Sequence, residues 1–379
     1  YQAQGIDMEK FLDMRIQNIR EKIAVDGIDT LMISTQENRR YLSGFTGEDG
    51  QYDETAGVLF ITADDLKLAT DGRYTQQASE EAPNYDVITY DKGLTHALSD
   101  ILSELKTHRL GFEAERMSVS QYEKICNLIQ TIESKIELTA TTDLVEGLRI
   151  VKEKKEIDHT RQALMMAEAV FSDFVQTLRP GMTEKSIAWE MEKRLRETGA
   201  DGLAFPVIVA SGPNSALPHA VPGNRQINLS EPVLFDWGIR WSGYCSDTSR
   251  TVILGKPDDI FLSVYRAVRE AQEMAITAIK PEMNGQAVDA VARGHIETAG
   301  FTDKFNHGLG HGTGLAIHEK PRLSPTSDTV LTAGMLCTVE PGIYLPGWGG
   351  VRLENQVIVT DNGAEVLNNL GTDDYVIDV

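Results

Sequence analysis

Five residues in the second half of the 379-residue chain have the types and spacing of a metal centre. Asp236 follows the apolar run Val233-Leu234-Phe235, and Asp247 follows Gly243-Tyr244-Cys245-Ser246. Arg240-Trp241-Ser242-Gly243 between them reads as a turn. A hairpin centred between Trp241 and Ser242 sets 236 opposite 247, and directly opposed residues share a sheet face. Two carboxylates held that close repel each other unless a cation lies between them. Glu340 and Glu354 repeat the pattern, after Leu336-Cys337-Thr338-Val339 and Gly350-Val351-Arg352-Leu353. Pro346-Gly347-Trp348-Gly349 is their turn, with Gly347 at the midpoint.

The third cluster is His307-Gly308-Leu309-Gly310-His311-Gly312-Thr313-Gly314, followed by His318-Glu319. Its glycines leave the backbone around His311 bare, which suits close approach of a metal or substrate. Four carboxylates with one or two imidazoles form a donor set for Mn²⁺, Co²⁺, Fe²⁺ or Zn²⁺. Two such ions about 3.5–4 Å apart activate a bridging water for hydrolysis. Taken singly, each feature is ordinary: an Asp in a strand-turn, a glycine-rich loop, a solvated strand glutamate. The case is the joint pattern of five donors in two turn-symmetric pairs.

These pairs need two similar halves to carry them. Residues 157–178 place apolar side chains at helical spacing, Pro180-Gly181 ends the run, and Thr183 caps a second helix that reaches Gly199. Strand-like segments fill residues 205–254. The order then recurs: helices over 257–279 and 286–299, ended by Pro281 and Gly300, then strand-like segments over 305–359. Glu340 follows Asp236 by 104 positions and Glu354 follows Asp247 by 107, so each half supplies one carboxylate pair. The N-terminal third mixes helices (11–25, 96–106, 118–132) with strands (30–34, 57–62, 66–70), an α/β pattern. It holds no His/Asp/Glu cluster, which points to support, oligomer contact or pocket closure. Thr139–Asp143 reads as the junction, with domains expected over 8–143 and 150–379. Residues 1–7 precede Met8 and are set apart as a processing remnant.

Bulk composition agrees with two domains of ordinary globular make-up. A formal net charge of -21 and a pI near 4.8 disfavour nucleic acid as a partner. No apolar run approaches the roughly 20 residues that span a bilayer, and no signal peptide is visible, so a cytoplasmic protein without a membrane partner is expected. Cys126, Cys245 and Cys337 form no zinc-like spacing and read as reduced thiols.

The five candidate ligands resemble those of the creatinase/methionine aminopeptidase superfamily (peptidase family M24). The whole chain resembles its Xaa-Pro peptidases, aminopeptidase P and prolidase. Tyr41-Leu42-Ser43-Gly44-Phe45-Thr46-Gly47 and Thr70-Asp71-Gly72-Arg73-Tyr74 resemble the creatinase-type N-terminal domain. The resemblance implies an α/β N-terminal domain and an α+β "pita-bread" catalytic domain with an internal pseudo-twofold repeat. It implies two divalent ions, Mn²⁺ foremost, on Asp236, Asp247, His311, Glu340 and Glu354. It also implies a homodimer, and peptide substrates with proline at the second position, cleaved by a metal-activated hydroxide. Glu340 would relay the proton to the proline nitrogen, and His318 would support the oxyanion. His219, in Ser211-Gly212-Pro213-Asn214-Ser215-Ala216-Leu217-Pro218-His219, matches a substrate-contacting histidine. His307 and Arg352 match residues flanking the ligands, Arg352 orienting a ligand carboxylate; Arg322 is a weaker candidate for a substrate carboxylate. The N-terminal motifs lean towards aminopeptidase over dipeptidase. Against a metal-free creatinase-like enzyme or a non-catalytic module stands the complete ligand set, and against a methionine aminopeptidase stands the N-terminal domain. Two departures stand out: the acidic segment Glu48-Asp49-Gly50-Gln51-Tyr52-Asp53-Glu54-Thr55, expected to tune substrate preference, and Trp237, where phenylalanine is common.

Overall fold

Short apolar runs such as Thr30-Leu31-Met32-Ile33 and Val58-Leu59-Phe60-Ile61 are buried along their whole length, as strands covered on both faces must be. The computed structural model in which they sit describes residues 2–50, 54–132 and 135–378. Gln51, Tyr52 and Asp53 of the acidic segment therefore lie outside the described residues. The chain divides into two units, Tyr1–Arg149 and Ile150–Val379.

The first unit runs α1 (Gln2–Val25), β1 (Thr30–Ile33), α2 (Gln36–Ser43), β2 (Val58–Ile61), β3 (Leu66–Asp71), α3 (Thr75–Glu81), β4 (Asp86–Tyr90), α4 (Leu94–Glu104), β5 (Arg109–Glu113), α5 (Val119–Ile129), β6 (Glu137–Thr141) and α6 (Glu146–Arg149). One sheet, ordered β4-β3-β2-β1-β5-β6, is antiparallel across β1, β2 and β3 and parallel elsewhere. Leu98, Ile101 and Leu102 of α4 and Ile125 of α5 pack on Met32, Phe60 and Leu110 beneath it. Two readings of the sequence change. The first helix begins at Gln2, because no proline interrupts residues 2–8. Thr139–Thr141, read as a junction, belongs to edge strand β6, whose small residues imitate a linker and of which only Thr141 is buried. Within the acidic segment, Asp49 turns inward to Arg39 at 2.9 Å and also accepts from Ala56 N.

The second unit contains the expected repeat. Its first half is α7 (Lys154–Val175), α8 (Glu184–Glu197), β7 (Gly202–Leu203), β8 (Ile208–Ser211), β9 (Pro232–Trp237), β10 (Ile239–Trp241), β11 (Tyr244–Cys245) and β12 (Thr248–Leu254). The second half is α9 (Asp259–Ala278), α10 (Gly285–Thr298), β13 (Gly310–Gly312), β14 (Glu319–Leu323), β15 (Leu336–Val339), β16 (Gly342–Leu345), β17 (Gly349–Arg352), β18 (Asn355–Thr360) and β19 (Gly363–Val366), with β20 (Val376–Ile377) returning to pair with β12. Thr183 caps α8 and Asn284 caps α10, each accepting from the backbone three residues on. Each cap also bridges back to its own half, Thr183 to Gln226 and Asn284 to Val330.

The two larger sheets are β20-β12-β9-β8 and β14-β13-β15-β18-β19, beside the smaller β11-β10-β7 and β16-β17. The apolar stripes of α7 and α8 bury against the first, through Phe171, Phe174, Met191 and Leu195. Those of α9 and α10 bury against the second, through Val264, Val268, Val288 and Ala292. Trp237 lies in the first core, stacked on Phe171 at 4.2 Å with Nε1 donating to Ala167 O. Alternation then directs its neighbour Asp236 to the opposite face.

Candidate metal centre

The first carboxylate hairpin turns at Ser242 and Gly243, with φ of 50° and 84°. Two positive values in succession define a type I′ turn. The hairpin is therefore centred between Ser242 and Gly243, one residue beyond the expected centre. Asp236 faces Ser249, not Asp247. The correction was available in the sequence: Ser-Gly fits the two central positions, and Trp-Ser does not. Asp247 sits two residues before Ser249, so the two carboxylates are diagonal neighbours lining the same cleft.

The second hairpin keeps the expected register. Val339 pairs with Asn355, and Gly342 with Arg352, so Glu340 faces Glu354 across the gap between β15–β18 and β16–β17. His311 enters from β13, where Gly310 and Gly312 flank it for a different reason than expected. A Cβ at Gly310 would collide with the Thr338 carbonyl oxygen, and one at Gly312 with that of Lys320. The glycines admit neighbouring strands rather than a ligand. Gly310→Ala is accordingly expected to destabilise the fold by about 1–3 kcal/mol. A denaturant titration matching the unaltered chain would contradict that packing.

Asp236, Asp247, His311, Glu340 and Glu354 line one cleft of about 710 Å³ together with His219, His307, His318, Arg322 and Arg352. Donor atoms of Asp247, His311 and Glu354 lie within 4.8 Å of one another. His311 Nε2 is 3.4 Å from Glu340 and 3.6 Å from Asp247. Burial pushes Glu340 up to about 7. Burial, and then the charges of its carboxylate neighbours, raises Asp247 and Glu354 well above the usual range. Burial also raises Asp236, against the pull of Arg352. Burial drives His311 down to about 3, with His318 adding to it. Buried Asp247 and Glu354 and partly buried Asp236 and Glu340 thus share the cleft with the neutral imidazoles of His307, His311 and His318 and one buried guanidinium. Asp236 Oδ1 is buried without a hydrogen-bond partner among the described residues. An orphaned carboxylate oxygen in a crowd of oxygen and nitrogen donors fits a divalent cation.

Arg352 organises the first half. It donates to Asp236 at 2.6 Å, to Ser249 at 2.9 Å and to the Pro218 carbonyl beside His219 at 3.0 Å. It also donates to Tyr344 Oη at 3.1 Å. His307 Nδ1 lies 2.8 Å from the Gly308 carbonyl, which can only accept, so Nδ1 carries the proton. Nε2 then accepts from Tyr344 Oη at 2.8 Å. Burial, reinforced by Arg352, holds His307 down at about 4. It is a neutral ring with both nitrogens engaged. His318 packs edge-on to His311 at 4.3 Å, and burial lowers its pKa, Arg322 adding to the effect.

Several supporting residues escaped the sequence reading. Ser249 Oγ donates to Glu354 at 2.7 Å, and Thr338 Oγ1 to Glu340 at 3.1 Å. Gln356 Oε1 accepts from Asp247 N at 3.1 Å. Ser249 and Gln356 are repeat counterparts, each two positions after a carboxylate, and each reaches the other half. Period-two alternation is the signal that finds them: a polar residue two positions from a candidate ligand shares its face. Tyr344 lies four positions after Glu340 by the same rule.

Known proteins resemble this chain in sequence and fold. Residues 158–361 match metallopeptidase family M24, and residues 15–151 match the creatinase/prolidase N-terminal domain. The chain is 34% identical to a Xaa-Pro dipeptidase of Pyrococcus furiosus, over 93% of this chain and 97% of that one. A solved Xaa-Pro dipeptidase from Bacillus anthracis superimposes with a TM-score of 0.89 at 37% identity, covering 97% of this chain and all of that one. An X-Pro aminopeptidase from Thermotoga maritima gives 0.84 at 35% identity, over 93% and 98%. A two-part fold, a repeat with paired carboxylate hairpins and near-complete mutual coverage lead to one placement: the chain belongs to metallopeptidase family M24.

Proposed function

We propose that this chain is a metal-dependent Xaa-Pro peptidase, cleaving the bond between an N-terminal residue and a following proline. The observation that carries the reading is the convergence of four carboxylates and His311 on one cleft, with donor atoms of Asp247, His311 and Glu354 within 4.8 Å of one another. Asp236, Asp247, His311, Glu340 and Glu354 would hold two divalent ions, with Mn²⁺ the first choice and Co²⁺, Zn²⁺ or Fe²⁺ as alternatives. When bound, the ions supply an activated water and a polarised scissile carbonyl. Glu340 accepts a proton and returns it to the departing proline nitrogen. His318 donates toward the oxyanion, and His219 contacts the substrate from the loop that Arg352 pins through Pro218. His307 holds Tyr344 and Arg352 in place. We assign residues 150–379 as the catalytic domain and 8–143 as the N-terminal one. The three free thiols support a reducing, cytoplasmic setting. Among the described residues no helix is long and apolar enough to cross a membrane. A homodimer is proposed on family likeness alone.

Relatives named for dipeptidase and for aminopeptidase activity both match. One observation favours the dipeptidase. Arg322 pairs with His311 in the β13–β14 ladder and lines the cleft, and its exposed guanidinium has no hydrogen-bond partner among the described residues. An unengaged guanidinium there suits the free carboxylate of a C-terminal proline. Under this reading Ala-Pro is cleaved and Ala-Pro-Ala is not. Arg322→Ala then raises KM for Ala-Pro by about 10–100-fold, the loss of a charge-assisted bond of roughly 1.5–3 kcal/mol. Efficient Ala-Pro-Ala cleavage, unaffected by that substitution, selects the aminopeptidase. Equal hydrolysis of Ala-Ala sinks both.

A further inference from the structure

We propose that Gln272 is a positioning residue of the metal centre, setting the separation and direction of Glu340 and Glu354 through their preceding carbonyls. The inference rests on the metal reading above. It starts from Pro341, which follows Glu340 directly. The β15–β18 ladder ends at Val339↔Asn355, and the β16–β17 ladder begins at Gly342↔Arg352. In the gap between them, Leu353 N donates to Pro341 O at 3.4 Å. The return bond cannot form, because proline has no N–H. The Leu353 carbonyl therefore loses its strand donor at a fully buried residue, a position where an unmet carbonyl is costly.

Gln272 on α9 fills that gap. It is 2% exposed, and its Nε2 donates to Leu353 O and to Val339 O, each at 2.9 Å. Those carbonyls belong to the residues just before Glu354 and Glu340. Because the peptide unit is planar, fixing a carbonyl fixes the direction in which the next residue departs. The N–H side of each unit is also held: Glu340 N donates to Leu309 O at 2.8 Å and Glu354 N to Ser249 O at 3.0 Å. One side-chain amide thus spans both strands at the point where two mutually repelling glutamates leave them. The first half has a parallel: Gln356 spans the interruption between β11 and β12, binding Asp247 N and Cys245 O.

The test is a Mn²⁺ titration of the metal-stripped full chain by calorimetry, with the visible spectrum of the Co²⁺ form alongside. Gln272→Met keeps the volume and removes both donors. It is expected to weaken Mn²⁺ binding by about 10–100-fold, as loss of a ligand-orienting contact does, and to shift the Co²⁺ bands. Val268→Ala, in the core on the same helix, is the control. It should lower Tm and leave Mn²⁺ affinity within about two-fold, because a cavity acts on stability rather than on the two peptides. Gln272→Glu, keeping at most one donor, should weaken binding in the same sense and serves if the methionine variant does not fold. A Gln272→Met titration and spectrum matching the unaltered chain overturn the proposal. So does an equal loss in Val268→Ala. Absence of both Mn²⁺ and Co²⁺ binding by the unaltered chain overturns the metal reading itself.

Discussion

Asp247→Asn is expected to abolish stoichiometric metal binding and lower Xaa-Pro hydrolysis by on the order of 10³-fold or more, while raising the Tm of the metal-free protein. The two effects have one origin. Asp247 is buried, and its pKa is raised well above the carboxylate range by that burial and by Glu354, Asp236 and Glu340. With cations present that crowding is a donor set, and losing a donor removes several kcal/mol of transition-state stabilisation. Without cations the same crowding is repulsion, which a neutral isosteric amide relieves. Metal analysis, Ala-Pro kinetics and thermal denaturation on one preparation read all three quantities. Full metal content with full activity would remove Asp247 from the site. A lower Tm in the metal-free variant would contradict the electrostatic account.

The metal-free protein should lose stability as pH rises above about 6.5, and added Mn²⁺ should restore it. The sign follows from the shifts. A carboxyl whose pKa is raised by folding contributes stability in full below its unfolded value, and loses it as pH climbs through the folded value. For Glu340 that window runs from its ordinary 4.5 up through about 7. For Asp247 and Glu354 it extends upward from the ordinary carboxylate range in the same direction. The depressed histidines act oppositely. His311 and His307, from 6.5 down to about 3 and about 4, lose stability as pH falls through that span. Between about 4 and 6.5 the two sets oppose each other; above 6.5 only the carboxylate effect remains. Thermal denaturation of stripped protein from pH 6.5 to 8.5 should therefore show a falling Tm, with a flat profile in Mn²⁺. A stripped-protein Tm that rises with pH would show that the carboxylates are not crowded as the structure places them.

Much of this cleft was legible in the sequence because its elements are local and punctuated. Thr183 and Pro281 mark helix boundaries, and the symmetric spacing about Gly347 predicts the Glu340–Glu354 opposition. The Asp236–Asp247 register failed by one residue at the centre because the turn was placed by length, without asking which pair tolerates positive φ. The long-range supports were harder to see. Gln272 stands on an otherwise apolar helix face, and its task follows from a proline 69 positions later that lacks one hydrogen. The glycines around His311 show the same limit: they signalled close approach correctly, but only the strand packing revealed that the visitor is backbone. In the first unit α2, α3, β4, β5 and α6 were missed, being short and rich in polar residues; Arg39 and Asn38 of α2 are nonetheless buried by hydrogen bonding.

The most direct measurement adds Mn²⁺ stepwise to metal-stripped protein while following hydrolysis of Ala-Pro and Ala-Ala. The expected result is no cleavage at the start, then Ala-Pro hydrolysis rising to a plateau near two equivalents, with Ala-Ala untouched. Undiminished cleavage by the stripped protein, or no response of Ala-Pro to the metal, would contradict the reading of these five residues as a metal centre for Xaa-Pro hydrolysis.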